Sequence, residues 1–263
     1  MVDSGSACPT LAVIAPASQA LPPGSMLNRT AAVHAVMLST PRMPHKDLGA
    51  RRSVIAQALE NLANRSCWNT LAMCVDAYDT FLRCDPKEIQ KRFAAAGVRV
   101  LISAERQFSF AGDTRERQFY DHLSVTDTGS RTGILTAYRY LNVGGMMGSV
   151  RNLLSFVRAS MQQATRPGQP STSAWADQFP VSQLFAHVHR TVEARLDYNS
   201  SVFYVASGID LDEHGLGAMK RVRAANPCMV HVPGTSSKGS HAYKAQTILR
   251  LLFARVQTRR RDS

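Results

Sequence analysis

Aromatic residues are scarce in this 263-residue chain, at 7%, and they are not interleaved with a basic stripe on any recognisable nucleic-acid-binding module. Acidic residues are also few, 19 against 31 Lys and Arg, which leaves a formal charge of +12. Such an excess favours polyanionic partners. It is spread along the chain, however, and its one dense cluster, Arg259-Arg260-Arg261, reads as part of a solvated tail over residues 258–263. No apolar run reaches the roughly 18 residues needed to cross a bilayer. No internal repeat is visible. The five cysteines, Cys8, Cys67, Cys74, Cys84 and Cys228, form no C-x-x-C pair and leave one over. Neither a zinc ribbon nor a disulfide framework is suggested, and buried free thiols are expected. Near the start, Asp3, the lack of a basic region and the break at Pro16 are unlike a secretory signal. A reducing, cytoplasmic setting is the expectation.

What is present supports a folded α/β domain. A hydrophobic content of 44% suffices for a sizeable core, and one domain over residues 11–257, after a flexible stretch 1–10, fits chains of this length. Short apolar runs at 11–15, 31–38, 70–75, 98–102, 202–206 and 229–232 read as strands. Helical spacing of apolar residues predicts helices over 48–63, 150–163, 174–189 and 243–256. Asp85 as N-cap and Pro86 in the first turn predict a helix to about Ala96, closed by Gly97. Residues 105–132 show charge without a clear period and are expected to be a long surface segment. Residues 166–173, rich in Pro, Gly and Ser, read as a linker. Alternating strands and helices imply a mostly parallel sheet, with a right-handed crossover between the strands at 70–75 and 98–102. His187 and His189 point apart on their helix and are read as surface or packing residues.

The chemistry centres on Asp76-Ala-Tyr-Asp79. The apolar run 70–75 stops abruptly at Asp76, so two carboxylates emerge at the carboxyl edge of the sheet, where open α/β folds bind ligands. Hard divalent cations take such oxygen ligands and keep room for phosphate. A D-x-x-D by itself also suits a capped turn with a solvated acid. Its context is an ordered set of motifs: Ser103-Ala-Glu105, Leu141-Asn-Val-Gly-Gly145 with Gly148, Asp177-Gln178, Leu196-Asp197 with Phe203, and His231-Val-Pro-Gly234 with Lys238.

Together these resemble the glycosyltransferase domain of the procollagen lysyl hydroxylases, related to the collagen galactosyltransferases, from about residue 71 to 238 and more faintly from residue 11. The resemblance implies a GT-A-like single domain, a UDP-sugar donor and Mn²⁺ or another divalent cation. It makes Asp76, Asp79 and His231 the metal ligands. It casts Tyr78 as the aromatic under the uracil, with an ordinary buried tyrosine as the alternative. Gly144 and Gly145 would permit close backbone approach or positive φ, or simply make a tight turn. Asn142 would reach a sugar hydroxyl, and Gly234 and Lys238 would serve the diphosphate, unless Lys238 is a solvated loop residue. Asp177 and Gln178 match the end of a D-D-Q motif whose first acidic position is Ala176 here. Asp177 would orient the donor sugar, or else sit at a helix start stabilised by the dipole. Glu105 would face the acceptor. An aromatic, Cys-Trp-containing loop of the family is replaced by residues 106–110, which leaves donor and acceptor preference open. Ala15-Pro16-Ala17 stands where the family has a Thr-containing strand end, so uridine contacts there do not carry over. No iron-binding His-x-Asp with a distal His in a jelly-roll context is read, and hydroxylation is not expected.

The expected function is metal-dependent transfer of glucose or galactose from a UDP-sugar to an acceptor hydroxyl, which hydroxylysine of a collagen-like protein, another protein or a glycan could supply. Two rivals stay open: a catalytically impaired nucleotide-sugar-binding relic, and a basic nucleic-acid-binding protein.

Overall fold

The computed structural model describes residues 7–22, 24–44, 50–108, 114–127, 137–163, 178–191, 193–206, 216–233, 247 and 249–251. The expected linker at 166–173, most of the expected helix at 243–256, the basic tail, and Ala176, Asp177, Gly234 and Lys238 lie outside the described residues.

The chain begins with β1 (Leu11–Ile14). Residues 31–38 were expected to form one strand; instead they are divided between α1 (Met26–Val33) and β2 (Met37–Ser39). Ser25 starts α1 by accepting the Asn28 N–H, and Leu27, Thr30 and Ala31 bury one face at helical spacing. Apolarity alone could not tell helix from strand there. Next come α2 (Arg51–Asn64), β3 (Leu71–Val75) and β4 (Thr80–Leu82). The last of these is too short to register as a pattern. α3 (Pro86–Ala96) has Asp85 accepting the Glu88 N–H at its start and Gly97 in the left-handed region, φ 65°, at its end. A cap of this kind contributes about 1 kcal/mol.

β5 (Val100–Glu105) is followed by α4 (Thr114–Asp127), which corrects the surface segment expected at 105–132. Within α4, Tyr120 and Leu123 are buried, so tertiary contact supports a helix that shows little period of its own. β6 (Tyr140–Ser149) runs directly into α5 (Val150–Met161), where Ser149 accepts the Asn152 N–H. α6 (Gln178–Val188), β7 (Ala194–Leu196), β8 (Phe203–Val205), α7 (Leu216–Ala225) and β9 (Met229–His231) complete the described elements. His189, just past α6, packs at 5.4 Å from the Phe185 ring and 5.6 Å from the Phe119 ring, a packing role as expected.

The main sheet has the order β2-β1-β3-β6-β5-β7. Only β6 runs against the others, since it is antiparallel to β3 and β5 while the remaining pairings are parallel. This is the mostly parallel, helix-flanked α/β arrangement expected of a GT-A-like domain. Because strand side chains alternate, Ala12, Ile14, Ala72 and Cys74 pack with Ile55 and Leu59 of α2 and Leu153 and Val157 of α5. Leu11, Val13, Met73 and Val75 face the other way, toward Leu27 of α1, Ile89 of α3 and Leu82, Phe203 and Met229. The last three belong to a small second sheet, β4-β9-β8, set beside the main one.

The free-thiol expectation is corrected for four of the five cysteines. Cys8 is disulfide-bonded to Cys67, and Cys84 to Cys228. Each pair is far apart in sequence, by 59 and 144 residues, so no local spacing announces it. Cys74 alone is free; burial pushes its thiol up to about 12, partly offset by the Arg51 guanidinium. Among the described residues no helix is long and apolar enough to cross a membrane.

Candidate functional site

The site is built at the carboxyl end of β3, where Val75 gives way to Asp76, and at the join of the two sheets. β6 pairs in step with β3 from Leu71 opposite Ser149 to Val75 opposite Gly145. Against β5 its register slips between Ile102, opposite Met146, and Ser103, opposite Asn142. Val143, Gly144 and Gly145 are therefore extra residues on β6, a bulge of the kind found where a strand re-aims its groups near a site. The bulge is held by side chains: Gly144 N–H donates to Asn142 Oδ1 at 2.8 Å, and Ser103 Oγ donates to the Asn142 carbonyl at 2.7 Å. Asp76 N–H donates to the Gly144 carbonyl at 3.4 Å.

Asp79 and His231 arrive from the small sheet. Thr80 of β4 lies opposite His231 of β9, and Val232 N–H donates to the Asp79 carbonyl at 2.9 Å. This places His231 Nε2 at 3.0 Å from Asp76 Oδ2 and 3.4 Å from Asp79 Oδ1. One ligand atom from each of the three residues lies within 4.8 Å of the others. Asp79 and His231 are buried, while the Asp76 side chain keeps 36% of its surface exposed and forms the mouth of the cluster. Asp79 Oδ1 and both imidazole nitrogens are buried without a well-aligned hydrogen bond, a costly state unless another group completes the set. Two carboxylate oxygens and an imidazole nitrogen fit a divalent cation that prefers oxygen and tolerates nitrogen.

Glycine at 144 is required by this geometry. A Cβ there would overlap the His231 ring and come within 2.7 Å of Asn142 Oδ1. At Gly145 a Cβ would meet Phe203 Cδ1 at 2.7 Å and Met229 Cε at 2.8 Å. Both glycines lie in β6, with no positive φ. The tight turn and positive φ weighed for them are thus replaced by the close approach.

One residue of the cluster was not foreseen. Arg51, at the start of α2 and only 4% exposed, places Nη2 at 2.8 Å from Asp76 Oδ1 and donates from Nη1 to the Val143 carbonyl at 3.0 Å. It joins the bulge to the first acid. Arg51-Arg52 in the first turn of an amphipathic helix is the only signal, and it reads as surface charge until the fold buries it. Burial opposes ionisation of Asp76, but Arg51, and then His231, outweigh it and hold the carboxyl well below its usual range. For His231 burial again opposes charge, and Asp79 and Asp76 outweigh it, lifting the imidazole to about 10.

A family model for the PLOD GT domain matches residues 48–238, well over half of the chain. The chain belongs to the PLOD glycosyltransferase-domain family. No curated protein shows significant sequence similarity to it. Family membership makes this a glycosyltransferase domain, whose reaction moves a sugar from a nucleotide-sugar donor to an acceptor and releases the nucleotide.

In this PLOD-type domain four of the remaining predicted residues, Tyr78, Glu105, Asn142 and Gln178, fall among the described residues with side chains whose partners can be named. Tyr78 is 41% exposed, not a buried core tyrosine. Its hydroxyl accepts the Gln19 N–H at 2.8 Å and lies 3.2 Å from Ser18 Oγ, so the ring is tethered to the loop after β1. Glu105 lies opposite Tyr140 in the β5-β6 ladder, and Gln178 Nε2 donates to Glu105 Oε1 at 3.4 Å and to the Leu141 carbonyl at 3.0 Å. Glu105, Gln178 and Asn142 are all buried, flanking the same stretch of β6. Phe108, from the loop that departs from the family pattern, packs at 5.2 Å against Tyr140. Asp197 has an architectural place: its carboxylate accepts the N–H groups of Ser201, Val202 and Phe203 and the Ser201 hydroxyl, fixing the entry to β8.

Proposed function

We propose that this domain transfers a hexose, glucose or galactose, from a UDP-sugar to an acceptor hydroxyl, with Asp76, Asp79 and His231 holding a divalent cation such as Mn²⁺. The observation that carries this reading is the convergence of those three side chains, from separate stretches of the chain, with buried polar atoms that lack a well-aligned hydrogen bond. Such a cation would neutralise the charge that gathers on a departing diphosphate. Asp76, kept ionised by Arg51, is the more exposed ligand and faces the donor. Tyr78 offers its tethered ring to the uracil. Asn142 commits Oδ1 to the Gly144 N–H, so its amide hydrogens are the ones to meet a sugar hydroxyl. Glu105 and Gln178 border the sugar and acceptor side, and the role proposed for Asp177 is to orient the donor sugar. Gly144 and Gly145 let the backbone close on the cluster, and Gly234 and Lys238 serve the diphosphate. Hydroxylysine of a collagen-like protein is one acceptor of suitable chemistry. The two disulfides support an oxidising compartment, which we propose in place of the cytoplasm.

The test is thermal protection. Mn²⁺ with UDP is expected to raise the melting temperature, and Asp76→Ala with Asp79→Ala to abolish that rise; equal protection of the double variant would sink the reading. Ala176, in place of an acid, favours the relic as a second reading. Turnover of UDP-glucose or UDP-galactose by a protein that binds Mn²⁺ and UDP rules it out, and silence on all donors supports it. Salt-sensitive retention on DNA or RNA that survives the double substitution would instead support the nucleic-acid reading.

A further inference from the structure

We infer that the Cys84–Cys228 disulfide is a positioning element of the metal site, so that its reduction lowers metal affinity without unfolding the domain. This rests on the reading of Asp79 and His231 as metal ligands. Asp79 immediately precedes β4 and His231 ends β9, strands of three residues each. The pairing spans only Thr80 opposite His231 to Leu82 opposite Met229. So short a ladder is marginal by itself, and no tight turn closes it. The disulfide does. Cys228 immediately precedes Met229, Cys84 follows Leu82 by two residues, and Arg83 N–H donates to the Cys228 carbonyl at 2.7 Å. Cys228 is three residues from His231, roughly 10 Å along an extended strand.

Cys8–Cys67 provides an internal control. It joins the approach to β1 to the loop before β3, at the end of these strands away from Asp76. Other ties remain on the small sheet when Cys84–Cys228 is cut. Leu82 N–H donates to Thr30 Oγ1 at 3.1 Å, and the Arg83 guanidinium donates to the Val222 and Pro227 carbonyls at 3.4 and 3.2 Å. The fold therefore persists while the spacing of the two ligands loosens. Metal–ligand distances tolerate only about 0.2 Å. The bond is also reachable: Cys84 borders an open depression of about 590 Å³, with Val33, His34, Arg83, Asp85 and Glu88 around it. A dithiol reductant entering there would cleave the S–S bond by two exchanges, leaving as its own cyclic disulfide while Cys84 and Cys228 each gain one electron and one proton.

The test measures Mn²⁺ affinity from the free-ion electron paramagnetic resonance signal. Cys84→Ala with Cys228→Ala is expected to bind Mn²⁺ about tenfold or more weakly, the scale of losing outer-shell support for metal ligands. Cys8→Ala with Cys67→Ala should match the parent. Unchanged affinity in the first variant, or equal loss in both, overturns the inference. If the parent itself binds no Mn²⁺, the metal reading has failed, which is a different result. Should the first variant not fold, the second is treated with a water-soluble phosphine, which becomes its oxide with oxygen from water, then alkylated and assayed again. A folded protein with weakened Mn²⁺ binding supports the inference. Unchanged binding, or unfolding on reduction, overturns it.

Discussion

Gly144→Ala is the sharpest probe of the site, because it adds one methyl group and touches no ligand atom by chemistry. The added carbon would overlap the His231 ring and crowd Asn142 Oδ1 at 2.7 Å. His231 is 1% exposed and its backbone is paired to Thr80, so the ring has little room to retreat except by leaving the carboxylates. Overpacking of this kind costs about 1–3 kcal/mol of stability. The diagnostic effect is on metal linkage. Mn²⁺ at a hundred times its dissociation constant stabilises the parent by about 2.7 kcal/mol. That corresponds to roughly 5–11 °C, at about 2–4 °C per kcal/mol for a chain near this size. If displacing His231 weakens binding about ten- to hundredfold, the same Mn²⁺ concentration leaves about 0.4–1.4 kcal/mol. Differential scanning fluorimetry with and without Mn²⁺ reads the difference directly. Gly145→Ala, crowding Phe203 and Met229 instead, should lower the melting temperature while keeping the Mn²⁺ increment. A Gly144→Ala protein with the full parental increment would refute the geometric argument.

Arg51→Met removes the partner of Asp76 and the donor to the Val143 carbonyl, and should cost about 1–3 kcal/mol by urea denaturation while lowering Mn²⁺ affinity. Tyr78→Phe keeps the ring and loses the tie to Gln19, so it should bind UDP better than Tyr78→Ala, which gives up about 1–3 kcal/mol of base stacking in calorimetry. In metal-free protein the folded state lifts His231 from its ordinary 6.5 to about 10. It then binds more protons than the unfolded chain across that window. This contribution to stability is complete below about pH 6.5 and declines toward pH 10; His231→Gln should flatten the decline in chelator-treated samples.

Much of the local structure was legible from single segments. Asp85, Pro86 and Gly97 carry the information for both ends of α3, because capping depends on the residues at each end. β3 was legible because a strand buried on both faces needs an unbroken apolar run, and Asp76 ends it. α1 and α4 were misread since their stability comes from faces that pack elsewhere. Leu27 and Ala31 rest in the layer under β1 and β3, and Tyr120 lies among Phe185 and Tyr140 at ring distances of 6.2 Å. The three candidate ligands were nameable through their motifs, whereas Arg51 was not, because a charged residue near a helix start carries no mark of being buried.

By itself, then, the sequence determined the alternation of strands and helices, the acids at the end of β3, and the family pattern linking them to His231. The tertiary structure decided what depends on distant pairings. It set Thr80 against His231, opened the β6 bulge that brings Gly144 under the imidazole, buried Arg51 against Asp76 and joined Cys84 to Cys228. The physical reason is range. Capping and periodicity act within a few residues, while the electrostatics of a buried cluster are set by which segments meet across the core.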